Sequence, residues 1–104
     1  MREKEHILDE IRKLKRTILP DSKLILFGSR ARNEASSDSD WDMLILLDKE
    51  RITPEDFSLY AYPFVELGWG LGEYFSMKLY TLSEWMKRQA TPFYKNVTTE
   101  GIEL

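Results

Sequence analysis

Two aspartates, Asp40 and Asp42, lie two positions apart immediately before an apolar run. On a β-strand, side chains at i and i+2 project from the same face roughly 7 Å apart, so two carboxylates can share one divalent ion or bridge a pair of ions. Such oxygen ligands suit Mg²⁺ or Mn²⁺, which commonly bind one or two carboxylates together with nucleotide phosphates. The spacing therefore predicts a metal site at Asp40 and Asp42, with Trp41 packing on the opposite face.

A second group of residues follows the apolar run from Leu24 to Phe27, which ends at Gly28-Ser29. A strand that ends in Gly-Ser and turns at once into a helical segment presents amide hydrogens and a hydroxyl to an anion. Gly28 allows the backbone to approach a phosphate closely, and Arg30 or Arg32 could pair with phosphate oxygens. The alternative is that Gly28 only ends a strand and that the arginines are solvated.

The aspartates also allow two other interpretations. The segment from Asp38 to Asp40 is also compatible with an Asx turn that satisfies its own backbone. A calcium loop of EF-hand type would use Asp38, Asp40 and Asp42 as its first ligands, but Met43 then stands where glycine is needed and Lys49 where glutamate is needed. The calcium interpretation is excluded.

Composition limits the class of protein. The chain has 104 residues, no cysteine and a net charge of −3, which excludes a disulfide framework, thiolate zinc sites and a cysteine nucleophile. A slightly acidic chain lacks the broad basic surface of a duplex-binding module, so nucleic acid is not the expected partner. No apolar run approaches the roughly 20 residues that span a bilayer, and the first residues have no signal-peptide pattern. We therefore expect one cytoplasmic domain over residues 1–104.

The first part of the chain predicts a helix and two strands. Pro20 ends a helix whose apolar stripe has helical spacing. Two continuous apolar runs bounded by polar residues then indicate buried strands. The helical stripe consists of Ile7, Ile11, Leu14 and Ile18, and the strands are Leu24–Phe27 and Met43–Leu47.

The second part of the chain alternates helices with short strands. Thr53-Pro54 opens a helix with Asp56 in an imperfect capping box, and Pro63 should interrupt it. Its expected buried face comprises Phe57, Tyr60, Ala61, Phe64 and Val65, and most aromatics of this region are expected in the core, with any surplus available to a partner. Five further elements are expected after this helix. They are a turn at Gly68, Gly70 and Gly72, a strand over Tyr74–Tyr80, a helix capped by Thr81 and Glu84, a helix from Thr91-Pro92 to Gly101 and a short strand at Ile102–Leu104. This order predicts an α/β fold of α+β type, a small sheet covered by helices.

The combination of motifs resembles the DNA polymerase beta superfamily, in its minimal nucleotidyltransferase branch. The resemblance rests on Gly28-Ser29 with Ala31-Arg32, a spacer, and Ser39-Asp40-x-Asp42 leading into an apolar strand. It implies a mixed sheet, a nucleoside triphosphate, with ATP as the expected substrate, bound at Gly28, Ser29, Arg30, Arg32 and Ser39, and two Mg²⁺ ions held by Asp40 and Asp42. The implied reaction transfers a nucleoside monophosphate to a hydroxyl and releases pyrophosphate. Members of this branch often pair, as antitoxins, with a helical HEPN-domain toxin.

One position departs from the family pattern. The resemblance implies a third carboxylate on the strand after the second helix, and that position falls at or near Ser76. Glu73 is the nearest acid and takes the place only if the strand begins earlier. Two hypotheses follow: an Mg²⁺-dependent nucleotidyltransferase with Asp40 and Asp42 as catalytic residues, or a nucleotide-binding antitoxin or interaction module with little or no turnover. Either would bind a HEPN-type partner or a second copy of itself.

Overall fold

The computed structural model describes residues 2–35 and 39–104, with side chains from residue 4 onward. Helix α1 is Arg2–Ile18, and strands β1 and β2 are Lys23–Phe27 and Trp41–Leu47. The next helical segment runs from α2, Pro54–Asp56, through a π-helix at Phe57–Ala61 into α3, Tyr62–Gly70. Strand β3, Phe75–Thr81, is followed by α4, Leu82–Met86, α5, Pro92–Glu100, and β4, Ile102–Glu103.

The four strands form one mixed sheet in the order β3-β2-β1-β4. Strand β1 is antiparallel to both β2 and β4, whereas β2 and β3 are parallel. The register places Asp42 between Phe27 of β1 and Ser76 of β3. The predicted fold, a small mixed sheet covered by helices, is therefore confirmed.

The two faces of the sheet are covered by different helices. One face packs against α1 and α3 and forms the larger core, in which Ile11, Leu26 and Trp41 are fully buried. The other face carries Leu44 and Leu46, which pack against Trp85 of α4 and Val97 of α5. Because side chains alternate along β2, Asp42 lies on this second face, where it is only partly buried.

Strand β2 begins at Trp41, two residues before the apolar run that predicted it. The N–H of Trp41 donates to the carbonyl of Tyr74 at 2.9 Å. This bond continues the parallel pairing with β3 toward the beginning of both strands, so a distant segment extends β2 through a polar position. Asp42 is thereby held by the sheet, and Asp40 stands just outside it.

Pro63 interrupts the second helical segment as expected, and the π-helix is the form the interruption takes. The N–H of Tyr62 donates to Phe57 five residues earlier, after which Pro63 stands in the first turn of α3, where its missing N–H costs nothing. The wider turn changes which side chains face the core. Ala61 and Phe64 are buried as predicted, but Phe57 is 42% exposed, so its assignment to the buried face was wrong.

The predicted turn at three glycines was wrong for two of them. Gly68 and Gly70 belong to α3, and only Gly72, with φ of 74°, forms the turn. Gly68 is buried where a methyl group would lie 2.9 Å from the ring of Phe75.

No helix in the described part of the chain is both long and apolar enough to cross a lipid bilayer.

Candidate active site

The two aspartates lie close together where β2 begins. Asp40 is exposed, and Asp42 is partly buried on the sheet face that α4 and α5 cover. Burial raises the pKa of Asp42, the negative charge of Asp40 raises it further, and the positive charge of Lys78 on β3 lowers it. Within the described ranges, neither aspartate has a hydrogen-bond or ion-pair partner. The pair therefore forms a concentrated negative charge that a cation would stabilise.

Gly28 lies directly against Asp42, one member of this pair. Its φ of 77° is in the left-handed region that favours glycine, and a methyl group at this position would lie 2.6 Å from Oδ2 of Asp42. Because β1 and β2 pair at Phe27 and Asp42, the end of β1 is fixed beside the carboxylate. Sheet pairing thus brings the two predicted motifs into one site.

The chain turns tightly after Gly28. The amides of Ala31 and Arg32 both donate to the carbonyl of Gly28, at 3.1 and 3.2 Å, and Glu34 donates to the carbonyl of Ser29 at 3.0 Å. These bonds form consecutive turns, one of which is the expected α-turn, closed by Arg32 and Gly28, and they do not continue into a helix. The Ser29 hydroxyl, partly exposed, has no hydrogen-bond partner within the described ranges. It is available to an anion, one residue after the glycine that lies against Asp42.

Arg30 connects this turn to the segment that leads into β2. Its Nε and Nη2 donate to the carbonyl of Ser39 at 3.3 and 2.9 Å. The guanidinium also lies 4.8 Å from the ring centre of Trp41 and 3.5 Å from Oε1 of Glu73. Because Ser39 immediately precedes Asp40, these contacts fix the backbone that carries the first carboxylate. In the structure, Arg30 therefore holds the segment that positions Asp40.

Arg32, in contrast to Arg30, pairs with glutamates outside the segment that leads to Asp40. Its guanidinium pairs with Glu34 at 2.8 Å and with Glu100 of α5 at 3.1 Å, and these two carboxylates raise its pKa. Lys4 of α1 donates to the carbonyl of Arg30 at 3.2 Å and to the side chain of Asn33. The turn after β1 is thus tied to both α1 and α5.

Ser76 lies beside Asp42 in the parallel pairing of β2 with β3, the position expected for a third carboxylate. Glu73 does not take its place, because β3 begins only at Phe75 and the Glu73 carboxylate accepts a 2.8 Å hydrogen bond from Trp41 Nε1. Trp41 is fully buried on the opposite face, as predicted. In the part of the chain that the structure describes, no three acidic or histidine side chains group as a metal site.

The donor set fits one divalent ion better than two. Two unpaired carboxylates, with space at Gly28 that any Cβ would fill, suit a Mg²⁺ ion that also binds substrate phosphates. A second ion would normally need a further carboxylate. Asp38, considered above for an Asx turn or a calcium ligand, lies outside the described residues.

Two contributions to the site escaped the sequence analysis. Glu73 contacts Arg30, 43 positions away, and Lys78 faces Asp42 from β3. The first depends on a distant contact. The second was accessible, because Lys78 follows Ser76 by two positions and therefore shares its face.

Comparison with known proteins agrees with this geometry. Residues 5–93 match the family model described as nucleotidyltransferase domain. The chain belongs to this nucleotidyltransferase family. No curated protein matches the chain. Among solved structures, a toxin–antitoxin complex with AMP-PNP is similar over 91% of this chain and 69% of the matched chain, with a TM-score of 0.61 and 21% identity. A mutant of the toxin–antitoxin MntA–HpeT, with two Asp-to-Glu substitutions two positions apart, covers the same shares with a TM-score of 0.58 and 18% identity. The nucleotidyltransferase fold of this chain is thus shared with toxin–antitoxin proteins.

Proposed function

We propose that this nucleotidyltransferase domain, acting as a single domain over residues 1–104, transfers a nucleoside monophosphate from an NTP, with ATP as the first candidate, to an acceptor hydroxyl. The observation that carries the proposal is the contact between Gly28 and the carboxylate of Asp42. This contact supports the proposal because the turn that we assign to phosphate binding and the carboxylates that we assign to metal binding would then act on one metal–nucleotide complex.

Each residue then has a role. We assign the β- and γ-phosphates to Ser29 and the backbone amides next to it, because the Ser29 hydroxyl has no partner among the described residues and directly follows Gly28, which lies against Asp42. Asp40 and Asp42 would hold Mg²⁺, or Mn²⁺ in its place, and the chemistry that such an ion would supply is polarisation of the α-phosphate. Arg30 and Ser39 keep the Asp40 backbone in place. Arg32 reaches the phosphates only by leaving Glu100, so we assign it a secondary part in binding.

During transfer, the acceptor oxygen forms its bond to the α-phosphorus as the bond to pyrophosphate breaks, and the acceptor proton passes to solvent. The cell interior, which contains both ATP and Mg²⁺, is the compartment we propose. As the acceptor or binding partner we propose a protein of HEPN type or a second copy of the chain. A nucleic-acid acceptor is disfavoured by the net charge of −3.

A second candidate function is a nucleotide-binding antitoxin or interaction module with little or no turnover. Ser76 beside Asp42 favours it, because a serine cannot supply the charge of a third carboxylate. The toxin–antitoxin complexes among the structural neighbours support a pairing role for both candidates.

Calorimetry with ATP and Mg²⁺ tests the first proposal. The Asp40→Ala, Asp42→Ala double variant is expected to lose nucleotide affinity at least about tenfold. Asp48→Ala is the matched control, since it removes an exposed carboxylate just beyond the other end of β2. Equal affinity in the double variant and the wild type would contradict the proposal. Transfer of label from α-³²P-ATP to a co-expressed partner then separates the enzyme from the inactive module.

A further inference from the structure

Lys78 occupies the next position after Ser76 on the same face of β3. The register pairs Ser76 with Asp42 and Lys78 with Leu44, so Asp42 and Lys78 are diagonal neighbours on one face. Strand geometry puts their Cα atoms about 8 Å apart, within reach of the long lysine side chain. Lys78 is exposed on β3, the edge strand of the sheet.

The ammonium group of Lys78 makes no polar contact with the other described residues. Within residues 4–35 and 39–104, it has neither a hydrogen bond nor an ion pair. Its charge nevertheless acts on the site, because it lowers the pKa of Asp42 against the effects of burial and of Asp40. A cation near Asp42, but not paired with it, is placed to meet an anion that arrives at this carboxylate.

A triphosphate brings more negative charge than one Mg²⁺ offsets. The two arginines near the turn are already engaged, Arg30 with Ser39 and Glu73, and Arg32 with Glu34 and Glu100. A third carboxylate would recruit a second divalent ion, but Ser76 stands in that position. The site therefore needs positive charge from another source, and lysine is a common phosphate ligand.

We propose that Lys78 binds the phosphates of the nucleotide and supplies the charge that a second divalent ion would supply, so that the site operates with one ion. This inference rests on the proposed function, since it requires a nucleotide at Asp40 and Asp42. It assigns Lys78 a binding role in the site, and it explains how the site tolerates Ser76 without a second metal.

The test uses the full chain, Mn²⁺ and AMP-PNP, with bound Mn²⁺ counted by electron paramagnetic resonance. The wild type should bind one Mn²⁺ per bound nucleotide. Lys78→Gln should weaken AMP-PNP binding at saturating Mn²⁺ by about tenfold, whereas Mn²⁺ affinity without nucleotide should rise a few-fold because a repelling charge is gone. Lys78→Arg keeps the charge and should retain nucleotide affinity.

Lys23→Gln is the matched control, because it removes an exposed lysine from the same sheet face at its other end. It should change neither affinity. In the Ser76→Asp, Lys78→Gln double variant, a second Mn²⁺ per bound nucleotide is expected.

Opposite shifts of the two affinities support the proposal, since a lysine that only protects the sheet edge would move neither. Two Mn²⁺ ions on the wild type, or unchanged AMP-PNP affinity in Lys78→Gln, would overturn the inference and leave the proposed function standing. Failure of the wild type to bind AMP-PNP would overturn both.

Discussion

The backbone of Gly28 and the carboxylate of Asp42 occupy adjoining space, and a methyl group at position 28 would lie 2.6 Å from Asp42 Oδ2. One residue ends β1 and the other lies near the start of β2. Their contact joins two motifs that are separate in the sequence, and it makes the glycine part of the site as well as of the turn.

Gly28→Ala should therefore damage both the fold and the site. The positive φ costs about 1–2 kcal/mol for alanine, and the clash with Asp42 adds to it and displaces the carboxylate. Gly72→Ala is the matched control, because Gly72 has φ of 74° with nothing within 4 Å. Urea unfolding should show a loss in both variants, but calorimetry should show weaker Mg²⁺–ATP binding only in Gly28→Ala. Equal binding by the two would argue against a role of the Gly28–Asp42 contact.

Arg30→Met should lower Mn²⁺ affinity several-fold, because the segment before Asp40 loses its anchor at the Ser39 carbonyl. Removal of a positive charge alone would raise the affinity, so the sign separates positioning from electrostatics. Arg32→Met removes the same charge from an exposed pair with Glu34 and Glu100 and serves as control. Titration of Mn²⁺ without nucleotide measures both. A rise in affinity for Arg30→Met would refute the positioning role.

Asp42→Asn should stabilise the metal-free protein at neutral pH. Folding raises the pKa of Asp42, mainly through burial, so the folded state binds the proton more tightly than the unfolded state. The wild type therefore loses stability as pH rises from the ordinary value of 3.8 through the raised one, and the variant avoids this loss. Urea unfolding in EDTA at pH 7 and near pH 3 measures the difference, which should shrink at the lower pH. A difference independent of pH would contradict the assignment.

Gly68→Ala and Gly70→Ala should have opposite effects on stability. Both residues lie in α3, where alanine gains up to about 1 kcal/mol over glycine. A methyl group at Gly68 would lie 2.9 Å from the ring of Phe75, whereas one at Gly70 meets nothing within 4 Å. Thermal unfolding should show Gly70→Ala more stable and Gly68→Ala less stable than the wild type. Stabilisation by both would show that Phe75 of β3 moves to accommodate the methyl group at position 68 without a loss of stability.

The parts of the fold that depend on local chemistry were predictable from the sequence. The Thr81–Glu84 capping box, for example, forms with both hydrogen bonds as expected. The wrong predictions concern places where a distant segment or an irregular helix determines the local structure. Pairing with Tyr74 extends β2, and the π-helix before Pro63 turns Phe57 outward. The motif residues could be located, but the attachment of Arg30 to Glu73 depends on tertiary contact alone.

Trp41 is fully buried, although it stands between Asp40 and Asp42 in the sequence. This alternation affects which register of β2 can form. A slip of β2 by one residue against its neighbours would exchange the faces, expose the indole and drive both carboxylates toward the apolar core. Misregistered chains are thus penalised by the same alternation that spaces the two ligands. An insertion or deletion between positions 40 and 42 would therefore impair folding, so its effect on catalysis could not be measured separately.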